Sequence, residues 1–170
     1  ITESVSILSQ RMSKPREIDL TEVERVVRYL KGIRQYRLRL SSNALEQNLI
    51  MYTDANWAEN KIDRKSNSGY IIMLNGGTIT WACRKQACVS LSSTEAEYIA
   101  LSEGCQELKW IKGICKELDI DIKQPTNVFV DNQSCMKIVE NEKFSNRTKH
   151  IDTKYHFIRE MNERGELTLH

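Results

Sequence analysis

The tripeptide Asn75-Gly76-Gly77 sits between two runs of strand character, 69–74 (GYIIML) and 78–83 (TITWAC), and it leaves the chain few choices. Asn and Gly accept the positive φ of a tight turn that other residues resist, so the two runs are predicted to fold back on each other as a hairpin. A third run, 48–58 (NLIMYTDANWA), precedes them across the polar stretch 59–68 (ENKIDRKSNS), and the three together predict an antiparallel meander. Then the period changes. From about Thr94 to Leu118 a helical stripe recurs at Glu97, Leu101, Gly104, Leu108, Ile111, Cys115 and Leu118, and "DIDIKQP" ends it, because Pro125 cannot continue a helix. The run 127–130 (NVFV) is short, apolar and unbroken, as expected of a strand covered on both faces. Reached through a long helix, it is expected to lie parallel to the strand it returns beside. Short helices near 132–141 and 151–163 follow, and "GELTLH" begins one more strand. The pattern is α/β.

Ahead of this stands "TEVERVVRYLKGIRQY". Thr21 and Glu24 form a capping-box pattern, Val23, Val26, Val27, Leu30 and Ile33 recur at helical spacing, and Arg25, Arg28, Lys31 and Arg34 crowd the remaining surface. A lone helix cannot bury such a stripe, so residues 1–46 are expected to connect to a neighbouring domain, with 47–170 as the α/β domain.

Net charge says little about partners, since 25 Lys and Arg face 23 Asp and Glu across 170 residues. The five cysteines are odd in number and form no C-x-x-C pair, which predicts reduced, mostly core thiols of an intracellular protein rather than zinc or a redox dithiol. No apolar run approaches the ~20 residues of a membrane span.

Three acids stand out. Glu97 lies on the apolar stripe of the long helix, whereas Glu95 is roughly 200° around it and completes a Ser92-x-x-Glu95 capping pattern. Thr94-x-x-Glu97 fits that pattern too, so capping stays open for both. Asp54 follows Ile50 and Tyr52 on one face of its strand, either an exposed strand end or a carboxylate that a cation or donor meets. Asp131 ends "NVFVD", where open α/β sheets place their ligands, or it caps the helix at "NQSC". If the two strands pair and the helix crosses them, all three carboxylates converge. Their mutual repulsion would then require divalent cations, and oxygen donors without His or Cys favour Mg2+ or Mn2+ over zinc. Such a cluster suggests two-metal phosphodiester chemistry, with ions about 4 Å apart.

"YTDANWA", "DRKSNSGY", "TITWACRKQACVSLSSTEAEYIALSE", "VFVDNQSC" and "KHIDTKYHFIRE" occur here in the order and spacing of a known family. Over about 48–170 the chain resembles the ribonuclease H domain of copia-type LTR retrotransposon Pol polyproteins, and "VVRYLKGI" resembles the tail of the preceding reverse transcriptase. The resemblance implies a mixed five-stranded sheet of order 3-2-1-4-5 flanked by helices. It implies a hydrolase that cuts the RNA strand of an RNA–DNA hybrid during reverse transcription, leaving a 3′-hydroxyl and a 5′-phosphate. It also implies two Mg2+ ions (Mn2+ as a substitute), an adjacent reverse transcriptase partner, and a cytoplasmic location within virus-like particles. Residue by residue, Asp54, Glu97 and Asp131 match the first three members of the family's D-E-D-D metal set, and Ser93, Thr94 and Gln133 match positions where ribonucleases H touch the hybrid. The fourth carboxylate follows the fifth strand in the family. "GELTLH" reads as only the start of that strand, so the final strand and helix are expected to be cut short, and Asp152, which precedes the strand, is in the wrong place to substitute. His150 is expected to contact substrate rather than metal, and His156 to pack beside Tyr155 and Phe157. Lys61, Arg64, Lys65, Arg84, Lys85, Arg147 and Lys149 are candidates for tracking a phosphate backbone. The competing expectation is a catalytically incompetent module that binds hybrid or supports the polymerase.

Overall fold

Alternation along the strand 49–56 sets the architecture: Leu49, Met51, Thr53 and Ala55 are buried while Tyr52, Asp54 and Asn56 are exposed. Only one face of this strand, β1 (Leu49–Asn56), is covered. The computed structural model describes residues 1–40, 48–140 and 149–170, of which Glu140, 149–153 and Tyr155 are described by backbone alone. It comprises two units, Ile1–Arg39 and Leu40–His170.

In the larger unit β1 pairs antiparallel with β2 (Asn67–Leu74), which pairs antiparallel with β3 (Gly77–Lys85). The turn between them is the two residues Asn75 and Gly76, with φ of 51° and 79°, and Leu74 pairs with Gly77. Both central residues thus occupy the left-handed region that a twisted hairpin requires. The helix α3 (Ser93–Glu117) crosses the sheet and returns the chain to β4 (Thr126–Val130), parallel to β1, and β5 (Leu167–Leu169) lies parallel to β4. The strand order is β3-β2-β1-β4-β5, as expected. Between the last two strands run α4 (Gln133–Glu140) and α5 (Lys149–Glu163).

Helix and sheet meet at close quarters. Gly104 faces β1 so tightly that a Cβ there would lie 2.9 Å from Met51 Sδ and 3.1 Å from Thr53 Cγ2. A side chain at Gly104 would have to push those atoms aside. Met51, Ile72, Tyr98, Leu101, Leu108, Val128, Ile158 and Leu167 close the core around it, with Cys105, Cys115 and Cys135 also buried. Cys83 and Cys88 are half-buried and no disulfide forms.

Three expectations need correction. The second face of β4 is open rather than covered, because Asn127 and Phe129 are exposed and Phe129 stacks on Tyr52 at 5.0 Å. Leu118 is 64% exposed, since it is the C-cap of α3 rather than part of its stripe. His156, expected to pack within its helix, is exposed on α5.

The smaller unit holds α1 (Thr2–Ser9) packed on α2 (Glu17–Gly32), and the first of these was not anticipated. α2 starts a turn before Thr21, which is interior and donates its hydroxyl to Glu17 O. The true cap pairs Arg16 with Asp19, whose carboxylate accepts Arg16 N at 2.9 Å and also binds the Arg11 guanidinium. Those cations hold Asp19 well below the ordinary carboxylate range. Val23, Val27 and Leu30 on α2 are exposed, the stripe the sequence marked as needing a partner.

Candidate metal centre

Parallel pairing sets Thr53 opposite Val130, so Asp54 and Asp131, each one residue further on, emerge side by side at the carboxyl ends of β1 and β4. The first turns of α3 pass over the same end. There Ala55 N donates to Glu97 Oε1 at 3.2 Å, fixing the carboxylate against the strand. Asp54, Glu97 and Asp131 each present an oxygen within 4.8 Å of the other two.

The two glutamates of the α3 start take different work. Glu95 is on the surface, where its carboxylate accepts Leu91 N at 2.9 Å, while Ser92 Oγ accepts Glu95 N at 3.1 Å. Glu97 is buried and does not cap. Asp131 is likewise free of capping duty, because Asn132 Oδ1 accepts Cys135 N at 3.0 Å at the start of α4. Both of the open alternatives at these positions are thereby resolved by a neighbouring residue that does the capping.

Glu97 is the electrostatic anomaly. It is 5% exposed, and its Oε2 is buried without a hydrogen-bond partner. Burial first, then the charges of Asp131 and Asp54, push its carboxyl up to about 7, against the pull of the Ala55 N–H. A buried oxygen left without a donor, beside two further carboxylates, is a costly arrangement unless a cation completes it. The donor set is all oxygen. Cys135, the neighbouring thiol, is pushed up to about 12 by burial and by Glu97 and Asp131, so it stays protonated and offers no thiolate. These residues fit a hard divalent cation and do not fit a zinc-thiolate site.

The other candidates are placed less closely. Ser93 and Thr94 open α3, exposed and half-buried, and the exposed Gln133 opens α4 two residues after Asp131. Arg84 lies exposed on β3, and its charge acts on Glu103 and Tyr70. Two proposed phosphate trackers are engaged by the protein itself: Lys85 pairs with Asp63 at 2.7 Å and Lys65 Nζ donates to Ala87 O at 2.7 Å. Lys61 and Arg64 remain exposed on that loop. Lys149, His150 and Asp152 fall in the first turn of α5 with side chains outside the described residues, and Arg147 lies wholly outside them. Sequence reasoning missed Gln86, which is 2% exposed and hydrogen-bonded to the base of α3. An isolated glutamine in a loop carries no motif that would mark it.

A 3-2-1-4-5 sheet crossed by one long helix, with acids gathered at the ends of its two central strands, defines a ribonuclease-H-like domain. LC11-RNase H1, isolated from compost, has this fold: it aligns with a TM-score of 0.52 at 18% identity, over 72% of this chain and 82% of that one. No family model matches the chain. It is 38% identical over 161 residues to the retrovirus-related Pol polyprotein of transposon TNT 1-94 of Nicotiana tabacum, covering 95% of this chain and 12% of that protein. A second such polyprotein, from transposon RE1 of Arabidopsis thaliana, is 38% identical over 168 residues, 98% of this chain and 11% of that one. The chain belongs to the retrovirus-related Pol polyproteins of copia-type transposons, and spans about a tenth of their length.

Proposed function

We propose that the larger unit is the ribonuclease H of its parent polyprotein, hydrolysing the RNA strand of RNA–DNA hybrids during reverse transcription. The convergence of Asp54, Glu97 and Asp131 within 4.8 Å, with one Glu97 oxygen buried and unpartnered, carries this reading. Asp54, Glu97 and Asp131 would hold Mg2+, or Mn2+ in its place, as a pair of ions that activates water and steadies the leaving oxygen. The chain's own contribution is to fix the oxygens before substrate arrives. Strand pairing fixes Asp54 beside Asp131, and the Ala55 N–H orients Glu97. Helix starts bearing Ser93, Thr94 and Gln133 flank the cluster, and hydroxyl and amide groups there are suited to ribose 2′-hydroxyls, the feature that separates RNA from DNA. LC11-RNase H1 has been solved in complex with an RNA/DNA hybrid, with a TM-score of 0.50 to this chain at 16% identity, which supports the substrate class. The smaller unit, with its exposed α2 stripe, is read as the junction to the reverse transcriptase.

A second reading is a module that binds hybrid, or supports the polymerase, without cutting. End-labelled hybrid incubated with the chain separates them. Cleavage of the RNA strand that needs Mg2+ or Mn2+ and stops with chelator supports the enzyme, whereas retained hybrid binding with no cleavage at any metal concentration favours the module.

A further inference from the structure

Gln86 follows β3 immediately, yet its side chain reaches back under the first turn of α3. Its carboxamide is fully used: Nε2 donates to Ala96 O at 2.9 Å and to Ser68 Oγ at 3.0 Å, and Oε1 accepts Ser90 Oγ at 2.6 Å. Its backbone N–H donates to Ser66 O at 2.8 Å. Gln86, Ser68 and Ser90 are each no more than 3% exposed, and Ala96 is fully buried. A carboxamide is the one neutral group that offers two donors and an acceptor in this planar arrangement.

The partners of Gln86 close a ring around Glu97. Ala96 is its chain neighbour. Ser68 pairs across the sheet with Ala55, whose N–H Glu97 Oε1 accepts. From Glu97 the path runs through Ala55, Ser68 and Gln86 to Ala96 and back, so the carboxamide ties the helix to the same strand ladder that its carboxylate touches. We propose that Gln86 is a positioning residue that sets Glu97 against β1. This deepens the reading of the cluster as a metal centre, but the placement of Glu97 can be tested without it.

The test compares the whole chain with Gln86→Met, which keeps size and removes every polar group, and Gln86→Glu, which keeps the Ser90 acceptor and removes the Nε2 donors. Ile72→Val, a core truncation four residues along β2 from Ser68, controls for general destabilisation. Hydrogen exchange at the Ala55 amide reads the Glu97 contact directly, and Mn2+ binding and hybrid cleavage read its consequence. Both Gln86 variants are expected to lose Ala55 protection about tenfold relative to amides near the start of β1, to weaken Mn2+ binding about tenfold, and to lower kcat more than they raise KM. Ile72→Val should leave all three ratios in place. Unchanged Ala55 protection in a folded Gln86 variant, or an equal loss in Ile72→Val, overturns the proposal, as does failure of both variants to fold, which would make Gln86 a folding residue instead. If the unsubstituted chain neither binds Mn2+ nor cuts hybrid, the metal-centre reading falls while the exchange result still decides Gln86.

Discussion

Replacing Glu97 with Gln should stabilise the metal-free protein while destroying its site. In the fold Glu97 is pushed from 4.5 up to about 7, first by burial and then by Asp131 and Asp54. Below pH 4.5 the carboxyl is protonated in both folded and unfolded chains and contributes no difference. As pH rises toward 7 the unfolded chain releases a proton that the fold retains, so stability is lost through this window and levels off above it. At ~1.4 kcal/mol per pH unit, the interval amounts to ~3 kcal/mol. Gln removes that penalty, because it carries no charge to desolvate or repel and its Oε1 can still accept Ala55 N. Urea unfolding of both proteins at pH 4 and pH 8, with chelator present, measures the difference. Glu103, also held above its ordinary value chiefly by burial, is common to both and cancels. The variant should match the parent at pH 4 and exceed it by ~3 kcal/mol at pH 8, and Mg2+ should narrow the gap by stabilising only the parent. A difference that does not change with pH, or one that favours the parent at pH 8, would refute the electrostatic account of Glu97.

Three substitutions test the surrounding scaffold. Gly113→Ala on α3, where nothing lies within 4 Å, should gain up to about 1 kcal/mol in chemical denaturation, while Gly104→Ala should lose about 1–2 kcal/mol because its methyl meets Met51 and Thr53. Glu95→Gln should leave hybrid cleavage and its metal dependence unchanged, and lower stability by at most about 1 kcal/mol, since Glu95 only caps Leu91 N.

The meander and the parallel return were legible because local signals agreed with one another, while the full strand order came with the family resemblance. Asn75 and Gly76 announce a tight hairpin, one long helix between strands implies a parallel return, and the open end of that return is where Asp131 falls. The choice of Glu97 over Glu95 followed from helical geometry, two residues amounting to more than half a turn. What stayed illegible depends on partners distant in sequence or on unfamiliar chemistry. α2 begins at a capping box built on Arg16 and Asp19 and reinforced by Arg11, with arginine where the pattern expects Ser or Thr, so the Thr21-x-x-Glu24 match misled by a full turn. The open face of β4 is a property of what covers the sheet, and a four-residue apolar run carries no record of it. Gln86 has meaning only once Ala96, Ser68 and Ser90 surround it.

Mn2+ titration of the metal-free chain at pH 8, followed by electron paramagnetic resonance, tests the acidic cluster most directly. The parent and Glu95→Gln should bind Mn2+ alike, and Asp54→Asn, Glu97→Gln and Asp131→Asn, all folded, should each weaken binding at least about tenfold. Equal binding across all five proteins, or none by the parent, would contradict the assignment of these three carboxylates as a metal centre.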